Sequence, residues 1–583
     1  MTDAAAGGAR VDPREWAAPR PRGLRRYVPI LVWLPTYDRS FLRFDVVAGA
    51  TIWGLLVPES IAYAGLAGLK PQAGLYTLLA TLGAYAIFGT SRQVVAGATS
   101  AAAVLLASSV GPLAGASSSE YAADAAALVL FCGGLFLLAG LLRLGFIAQF
   151  LSRSITESFV FGLAIFVTVS QLPKLFGIEK GGGDTIRQFI HLLAHLGDTS
   201  GATLAIGAGA LVLLFGIERF APRLPGGLVA LVLGIVISGA LHLSQHGVAI
   251  VGHVPSGLPS PSVPSIEASH VASLMAAAGG LLLVVFSESL GAADNFATKY
   301  GYEIDPNQEL IALGVANAGS GFLGGLAGGG SLSQSAVNDG AGARSEVSPL
   351  VAAVLIIVTV LVLTPLFKNL PEAVLAALII HAVSHLYKVA ALRRYYRERR
   401  VEFWLGLATI VGVVTLDVLP GLVIGVSAML VLVVYHASRP HVIVLGRIPG
   451  PPDVYLNVER HRDARRIPGV LILRLTAPLF YANATPIRDD IKRLAGSGDP
   501  PPKAVVLDLG TNEDLDITSV EMLEQLVSAL RSAGIDLALA EVHRNIIEMA
   551  SRSDLMRDLG EDRIFLTLDA AVQALAPAAI VAS

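Results

Sequence analysis

Two acidic residues stand where acids are expensive. Glu59 lies in Val57-Pro58-Glu59-Ser60-Ile61-Ala62-Tyr63-Ala64, and Glu288 follows the apolar run Leu281–Phe286. An ionisable side chain deep in such a segment marks an ion or substrate path, unless it serves only as a structural hydrogen-bonding group. Low polarity favours the neutral acid, which suits proton pickup, while the ionised form suits Na⁺. Nearby stand two small-residue helix starts, Ala98-Thr99-Ser100-Ala101 and Ser333-Gln334-Ser335-Ala336. Each follows a break, Gly89–Gly97 or Gly319–Gly330. Such breaks resist helix formation, since each glycine costs about 1 kcal/mol relative to alanine. A helix that begins mid-membrane offers free N–H groups and about half a positive charge. Two such ends meeting from opposite sides hold an anion without Lys or Arg. The same glycines also permit close helix packing. In the anion reading, backbone N–H groups near Ala98–Ala101 and Ser333–Ala336 bind the charge. Thr99, Ser100, Ser333, Gln334 and Ser335 add side-chain hydrogen bonds, and Tyr63 lines the cavity.

The two halves of this constellation belong to a repeat. Pro58-Glu59-Ser60-Ile61, Lys70-Pro71-Gln72 and Ala98-Thr99-Ser100-Ala101 run parallel to Ser287-Glu288-Ser289-Leu290, Asp305-Pro306-Asn307 and Ser333-Gln334-Ser335-Ala336. Pro71 to Ser100 is the same distance as Pro306 to Ser335. The copies begin seven spans apart, so the second is inverted relative to the first. Inverted repeats place a site at the bilayer midplane where they meet.

The elements that position these residues are membrane helices. The chain of 583 residues is 54% hydrophobic and 15% charged. Soluble domains carry roughly a quarter charged residues. A crossing needs about 20 apolar residues, fewer where protein covers the backbone. Fourteen segments emerge, near 44–66, 73–89, 98–112, 124–143, 155–173, 201–217, 226–243, 272–292, 308–325, 333–344, 349–367, 371–388, 401–417 and 419–437. The third and tenth are too short to span. Three parts follow: a basic tail at 1–43, a transport domain at 44–438 and a compact domain at 439–583. The tail holds Arg10, Arg14, Arg20, Arg22, Arg25, Arg26, Arg39 and Arg43. The even-numbered connections hold Arg92, Arg143, Arg153, Arg219, Arg223, Lys299, Arg344 and the cluster Lys388–Arg400. Positive charge stays inside, so both termini should be cytoplasmic. Asp294 and Lys299 read as interface or loop charges.

These residues resemble the SulP family, the sulfate permease or solute-carrier 26 anion transporters. The resemblance rests on Asp45–Gly49, Val57–Ala64, Gly74-Leu75-Tyr76, Gly301–Leu310, Gly330–Asn338 and Gly340–Arg344. It implies a seven-plus-seven inverted repeat with core and gate domains, often a homodimer. It also implies a substrate site between the starts of the third and tenth helices, flanked by the first and eighth. Many members have Gln where Glu59 stands and Arg where Gln334 stands. The site here gains a possible negative charge and loses a positive one, which would repel an anion. Protonation of Glu59 or Glu288, or Na⁺ bound there, removes the conflict and predicts cation-coupled symport.

Residues 440–583 alternate strand and helix signals, with strands at Val470–Leu475, Ala504–Leu509 and Ile535–Ala540 and a helix at Ser519–Ser532. This predicts a small α/β domain. Val505–Leu509 and Asp516–Val520 resemble the STAS domain, which implies a role in regulation, folding or dimer contact, with a cytoplasmic regulatory partner as one option. Ile517 stands where the related antagonists carry a phosphorylated Ser. Ser519 reads as a helix cap.

The pairs His191/His195 and His381/His385 have metal-ligand spacing, but no further ligand is near them in sequence, so no metal is expected. Cys132 is the single cysteine and excludes disulfides. No Walker A, G-x-S-x-G or HExxH motif is present, so neither an enzyme nor an ATP-driven pump is expected. The reading is a secondary active transporter of sulfate, bicarbonate or a small dicarboxylate, working by alternating access in a cell membrane. It needs no cofactor beyond H⁺ or Na⁺ and does not involve nucleic acid. An uncoupled exchanger or channel, or a non-transporting sensor, remains as an alternative.

Overall fold

The computed structural model describes residues 23–113, 118–146, 152–182, 184–221, 224–416, 418–448 and 454–576. Arg10, Arg14, Arg20, Arg22 and Arg223 of the expected charge pattern lie outside the described residues. The described chain forms two compact units, Met1–Met429 and Leu430–Ser583.

The first unit is helical. Its segments are α1 (Leu42–Leu66), α2 (Pro71–Phe88), strand β1 (Val95–Ala98) leading into α3 (Ser100–Val110), α4 (Ser118–Leu141), α5 (Arg153–Phe176), α6 (Gly201–Phe220) and α7 (Gly226–Ala240). The same order returns in α8 (Val271–Tyr300), α9 (Pro306–Phe322), strand β2 (Gly328–Ser331) leading into α10 (Leu332–Gly340), α11 (Val347–Val358), α12 (Glu372–Ser384), α13 (Arg400–Leu416) and α14 (Val418–Ala437). Among the described residues, eight helices are long and apolar enough to cross a membrane, and the rest are shorter or less apolar. Pro71 and Pro306 both open their helices at the first position, where a missing N–H costs nothing. Asp305 caps α9 through the N–H groups of Asn307 and Gln308. Past Val358, α11 widens into a π-helical stretch, Thr359–Leu363.

Two bundles share this unit. Helices α1, α2, α4, α8, α9 and α11 pack around the strand-led α3 and α10; α5 packs on α12 and α13, and α6 on α7 and α12. Val212, Phe215, Phe220, Val232, Val236, Val423 and Val431 are exposed on α6, α7 and α14. Lipid covers a surface of this kind.

The second unit is a six-stranded sheet in the order β4-β3-β5-β6-β7-β8. Its strands are β3 (Val442–Ile448), β4 (Val454–Asn457), β5 (Val470–Leu475), β6 (Ala504–Asp508), β7 (Asp536–Ala540) and β8 (Ile564–Phe565). Strands β5 to β8 are parallel, and β3 is antiparallel to β4 and β5. Between β6 and β7 runs the helix α16 (Ile517–Ser532), after α15 (Ala484–Gly496). The cap of α16 is Asp516, not Ser519: its carboxylate accepts from Ser519 N–H at 2.8 Å and Tyr481 N–H at 2.6 Å. Burial alone would push Asp516 up, but these donors outweigh it and hold the group below its ordinary value. Ser519 is buried in the third helical position, closed to modification, while Thr518 is exposed.

Candidate functional site

The glycine-rich breaks are extended, and they pair. β1 and β2 form an antiparallel ribbon with Val95 opposite Ser331 and Ala98 opposite Gly328. Pairing satisfies one edge of each strand, and side chains take up groups on the other. Asn317 on α9 reaches Gly328 twice, its Nδ2 donating to the carbonyl at 2.9 Å and its Oδ1 accepting from the N–H at 2.9 Å. Thr77 Oγ1 on α2 accepts from Leu326 N–H, and Ser289 Oγ on α8 accepts from Gly330 N–H, both at 2.7 Å. A Cβ on Gly329 would lie 2.6 Å from Val285 Cγ1, so α8 sits directly on the ribbon.

Both half-helices begin with the same device. Thr99 Oγ1 accepts from Ala102 N–H at 3.3 Å, and Ser331 Oγ accepts from Gln334 N–H at 3.5 Å. By these caps Thr99 corresponds to Ser331, so the second helix starts three residues earlier than the Ser100/Ser335 equivalence implies. The offset adds up one residue at a time: α9 is one residue shorter than α2, the loop after it is one residue shorter, and the cap Ser331 lies within β2 while Thr99 follows β1. Consequently Ala98 ends the strand, Ser100 and Ala101 open α3, and Ala336 sits past the first turn of α10. Ser335 is buried and bolts that turn to the ribbon, accepting from Val95 N–H at 2.9 Å and donating to Ser331 O at 2.6 Å. Ser333 is exposed, with its hydroxyl 3.0 Å from that of Ser331.

One side chain joins the two starts. Gln334 Nε2 donates to the Ala98 carbonyl at 3.3 Å and to Glu59 Oε2 at 2.9 Å. Its Oε1 is buried without a partner among the described residues. The amide therefore ties α10, the end of β1 and α1 into one polar knot. Tyr63, one turn beyond Glu59, is within electrostatic range of both Glu59 and Glu288. Glu288 does not share the knot. It lines a cavity with Ser287, Thr156, Phe159 and Leu422, between α8, α5 and α14, while its neighbour Ser289 turns to the ribbon. Asp294 is exposed, and Lys299 pairs with Asp339 at 2.5 Å.

Further buried acids stand nearby, Glu309 holding the approach to β1 and Asp45 the turn after α10. Glu309 accepts from Tyr85 OH at 2.7 Å, Thr90 N–H at 2.8 Å and Thr90 Oγ1 at 2.5 Å. Asp45 accepts from Tyr37 OH, Arg344 N–H, Ser345 N–H and Ser345 Oγ. Glu346 is 3% exposed, and neither carboxyl oxygen has a hydrogen-bond partner among the described residues. Sequence reading missed Asn317, Thr77, Ser289, Ser331 and Glu346; only the short Ser331-Leu332-Ser333-Gln334 spacing carried a cap signal. It also missed that Glu218 of α6 stands beside His381 and His385, so that pair does have a companion ligand.

Known proteins share this fold and sequence. The sulfate permease family matches residues 42–409, and the STAS domain matches residues 461–571. A probable sulfate transporter of Mycobacterium tuberculosis (strain CDC 1551 / Oshkosh) is 34% identical over 551 residues, covering 94% of this chain and 98% of the relative. Sulfate transporter 3.1 of Arabidopsis thaliana is 30% identical over 575 residues, covering 95% and 87%. The fold superposes on the murine solute carrier 26 family member A9 anion transporter in its inward-facing state, with a TM-score of 0.87 at 23% identity over 98% of this chain and 99% of that one. The transmembrane domain of a cyanobacterial bicarbonate transporter, BicA, gives a TM-score of 0.59 at 23% identity over 67% and 98%. Family and relatives are transporters rather than enzymes, and with the match running through both half-helices, the chain belongs to the sulfate permease family.

Proposed function

We propose that this protein is a cation-coupled symporter of a small anion, with sulfate the first candidate and bicarbonate or a small dicarboxylate the next. Support for sulfate comes from the names of the relatives at 30% and 34% identity. The observation that carries the coupling is the knot itself. A carboxyl group, Glu59, stands one amide away from both helix starts, and that amide is Gln334, a neutral residue. A dianion arriving there meets the positive ends of two helices and the charge of Glu59 together. Two unit charges of like sign 4 Å apart repel by about 4 kcal/mol at an effective dielectric constant of 20. Neutralising Glu59 with H⁺ or Na⁺ removes that term, so cation and anion bind together or not at all. Glu288, beside the cavity between the bundles, is the second candidate for the coupling ion. One bundle moving against the other would expose the knot alternately to each side. The termini face the cytoplasm in this reading, the active unit is a homodimer, and the STAS domain serves regulation.

The test is uptake into proteoliposomes with sulfate, bicarbonate and dicarboxylates, H⁺ and Na⁺ gradients being imposed separately. Sulfate uptake driven by one cation gradient is expected, with the gradient dependence lost in Glu59→Gln or Glu288→Gln. If both variants retain the wild-type response to both gradients, coupling through these acids is wrong, and exchange or channel flow takes its place.

A further inference from the structure

We propose that Glu218, His381 and His385 form a binding site for a divalent transition-metal cation of the Zn²⁺ class, tying α6 to α12. His381 and His385 are one helical turn apart on the same face of α12. Glu218 arrives from α6, which packs beside it. Its Oε2 is 3.0 Å from His381 Nε2, and its Oε1 is 3.8 Å from His385 Nε2. One ligand atom from each of the three residues falls within 4.8 Å of the others.

These separations fit a metal. With bonds of roughly 2.1 Å from Zn²⁺ to nitrogen and oxygen, the edges of a tetrahedral site are about 3.4 Å long. The observed 3.0 and 3.8 Å, which run to the two different carboxylate oxygens, lie near that edge, and with all three ligand atoms inside 4.8 Å side-chain rotation is enough to draw them onto one ion. Two imidazoles and a carboxylate suit zinc better than Mg²⁺ or Ca²⁺, which prefer all-oxygen shells. Three protein ligands leave a fourth position for water.

The local field points the same way. Glu218 lies in the last turn of α6, His381 in the last turn of α12, and His385 caps that helix. Two helix C-termini thus bring their partial negative charge to one place, which favours a cation. Lys388, three residues past His385, is drawn to Glu157 at 3.5 Å. Glu218 and His385 are half exposed, so an ion can reach them. Phe215 packs edge-on against His381 with ring centroids 4.9 Å apart and steadies its ring. On binding, His381 gives up its Nε2 hydrogen bond to Glu218, the ring proton moves to Nδ1, and Nε2 donates its lone pair to the metal.

The experiment uses the purified full-length chain, free of any polyhistidine tag, stripped with EDTA and dialysed against micromolar ZnCl₂. About one zinc retained per chain is expected by elemental analysis. Zn²⁺, but not equimolar Mg²⁺, should raise the unfolding temperature. Glu218→Gln and His385→Gln, both at half-exposed positions, should each weaken zinc binding roughly tenfold or more while melting like wild type without metal. His191→Gln/His195→Gln should bind zinc as wild type does. The proposal falls if Glu218→Gln keeps its zinc affinity, if the His191/His195 variant loses it, or if Mg²⁺ stabilises equally, each leaving a plain Glu–His hydrogen bond.

Discussion

Neighbouring acids in this protein do opposite things because their donors differ. Glu309 receives hydrogen bonds from Tyr85 and Thr90, whereas Glu346 receives none from the described residues. An amide at position 309 keeps one oxygen to accept from Thr90 but sets an NH₂ group against the Tyr85 hydroxyl, so the carboxylate's charge-assisted bond to that hydroxyl is lost. Glu309→Gln should therefore lower stability by about 2 kcal/mol. Glu346→Gln removes a buried, unpartnered acid and should leave the melting temperature unchanged or raise it. Thermal unfolding of both variants in detergent is the measurement; equal losses would mean that Glu346 has donors of its own. Glu59 was legible in the sequence because a carboxylate among apolar residues stands out. Ser289, Thr77 and Asn317 were not, since small polar residues on membrane helices are common and their ribbon partners are 41, 249 and 11 residues away.

At the scale of elements, the ribbon is the decisive feature. Its glycines are needed for contact rather than for backbone freedom. A Cβ on Gly330 would lie 2.8 Å from Val94 Cγ1 and 3.2 Å from Ser289 Cα. A backbone atom cannot yield as a side-chain tip can, so α8 would have to shift. Gly330→Ala should reach the membrane at normal yield yet lose most uptake; full uptake would show that the contact is slack. The second broken segment was readable from composition, since a run of glycines does not hold a helix, while the first carries only Gly89 and Gly97 and was found through the repeat. Their pairing was not, because antiparallel register depends on which residues face each other across the whole repeat. The three-residue offset between the caps escaped for a similar reason: proline positions align the starts of the preceding helices, but helix length, loop length and cap position together set where the next one starts.

At the scale of the molecule, the two units have separate hydrophobic cores, one built on residues such as Leu56, Leu78 and Phe286, the other on Leu473, Leu507 and Leu526. Separate cores predict separate unfolding steps. Asp516→Ala should destabilise only the second unit, by about 1 kcal/mol. The sign with pH follows from its lowered value: the cap contributes fully at neutral pH and fades as pH falls below the ordinary carboxylate range. Urea unfolding of wild type and variant at pH 7 and pH 3 checks this; the gap between them should shrink in acid. The α/β order of this unit was plain in the sequence. Its capping residue was misplaced by three positions, because aspartate at 516 and serine at 519 both suit a helix start and only the fold decides between them.

The ribbon also dictates an order of assembly. Val95 finds Ser335 across 240 residues of chain, and until that happens the extended stretch after α2 has no strand to lie against. During synthesis the first seven spans must wait, with an unfinished middle, for the tenth to arrive. The proposed anion pocket is thus the last part of the membrane unit to form, and a chain cut before residue 331 should insert into lipid without the ribbon.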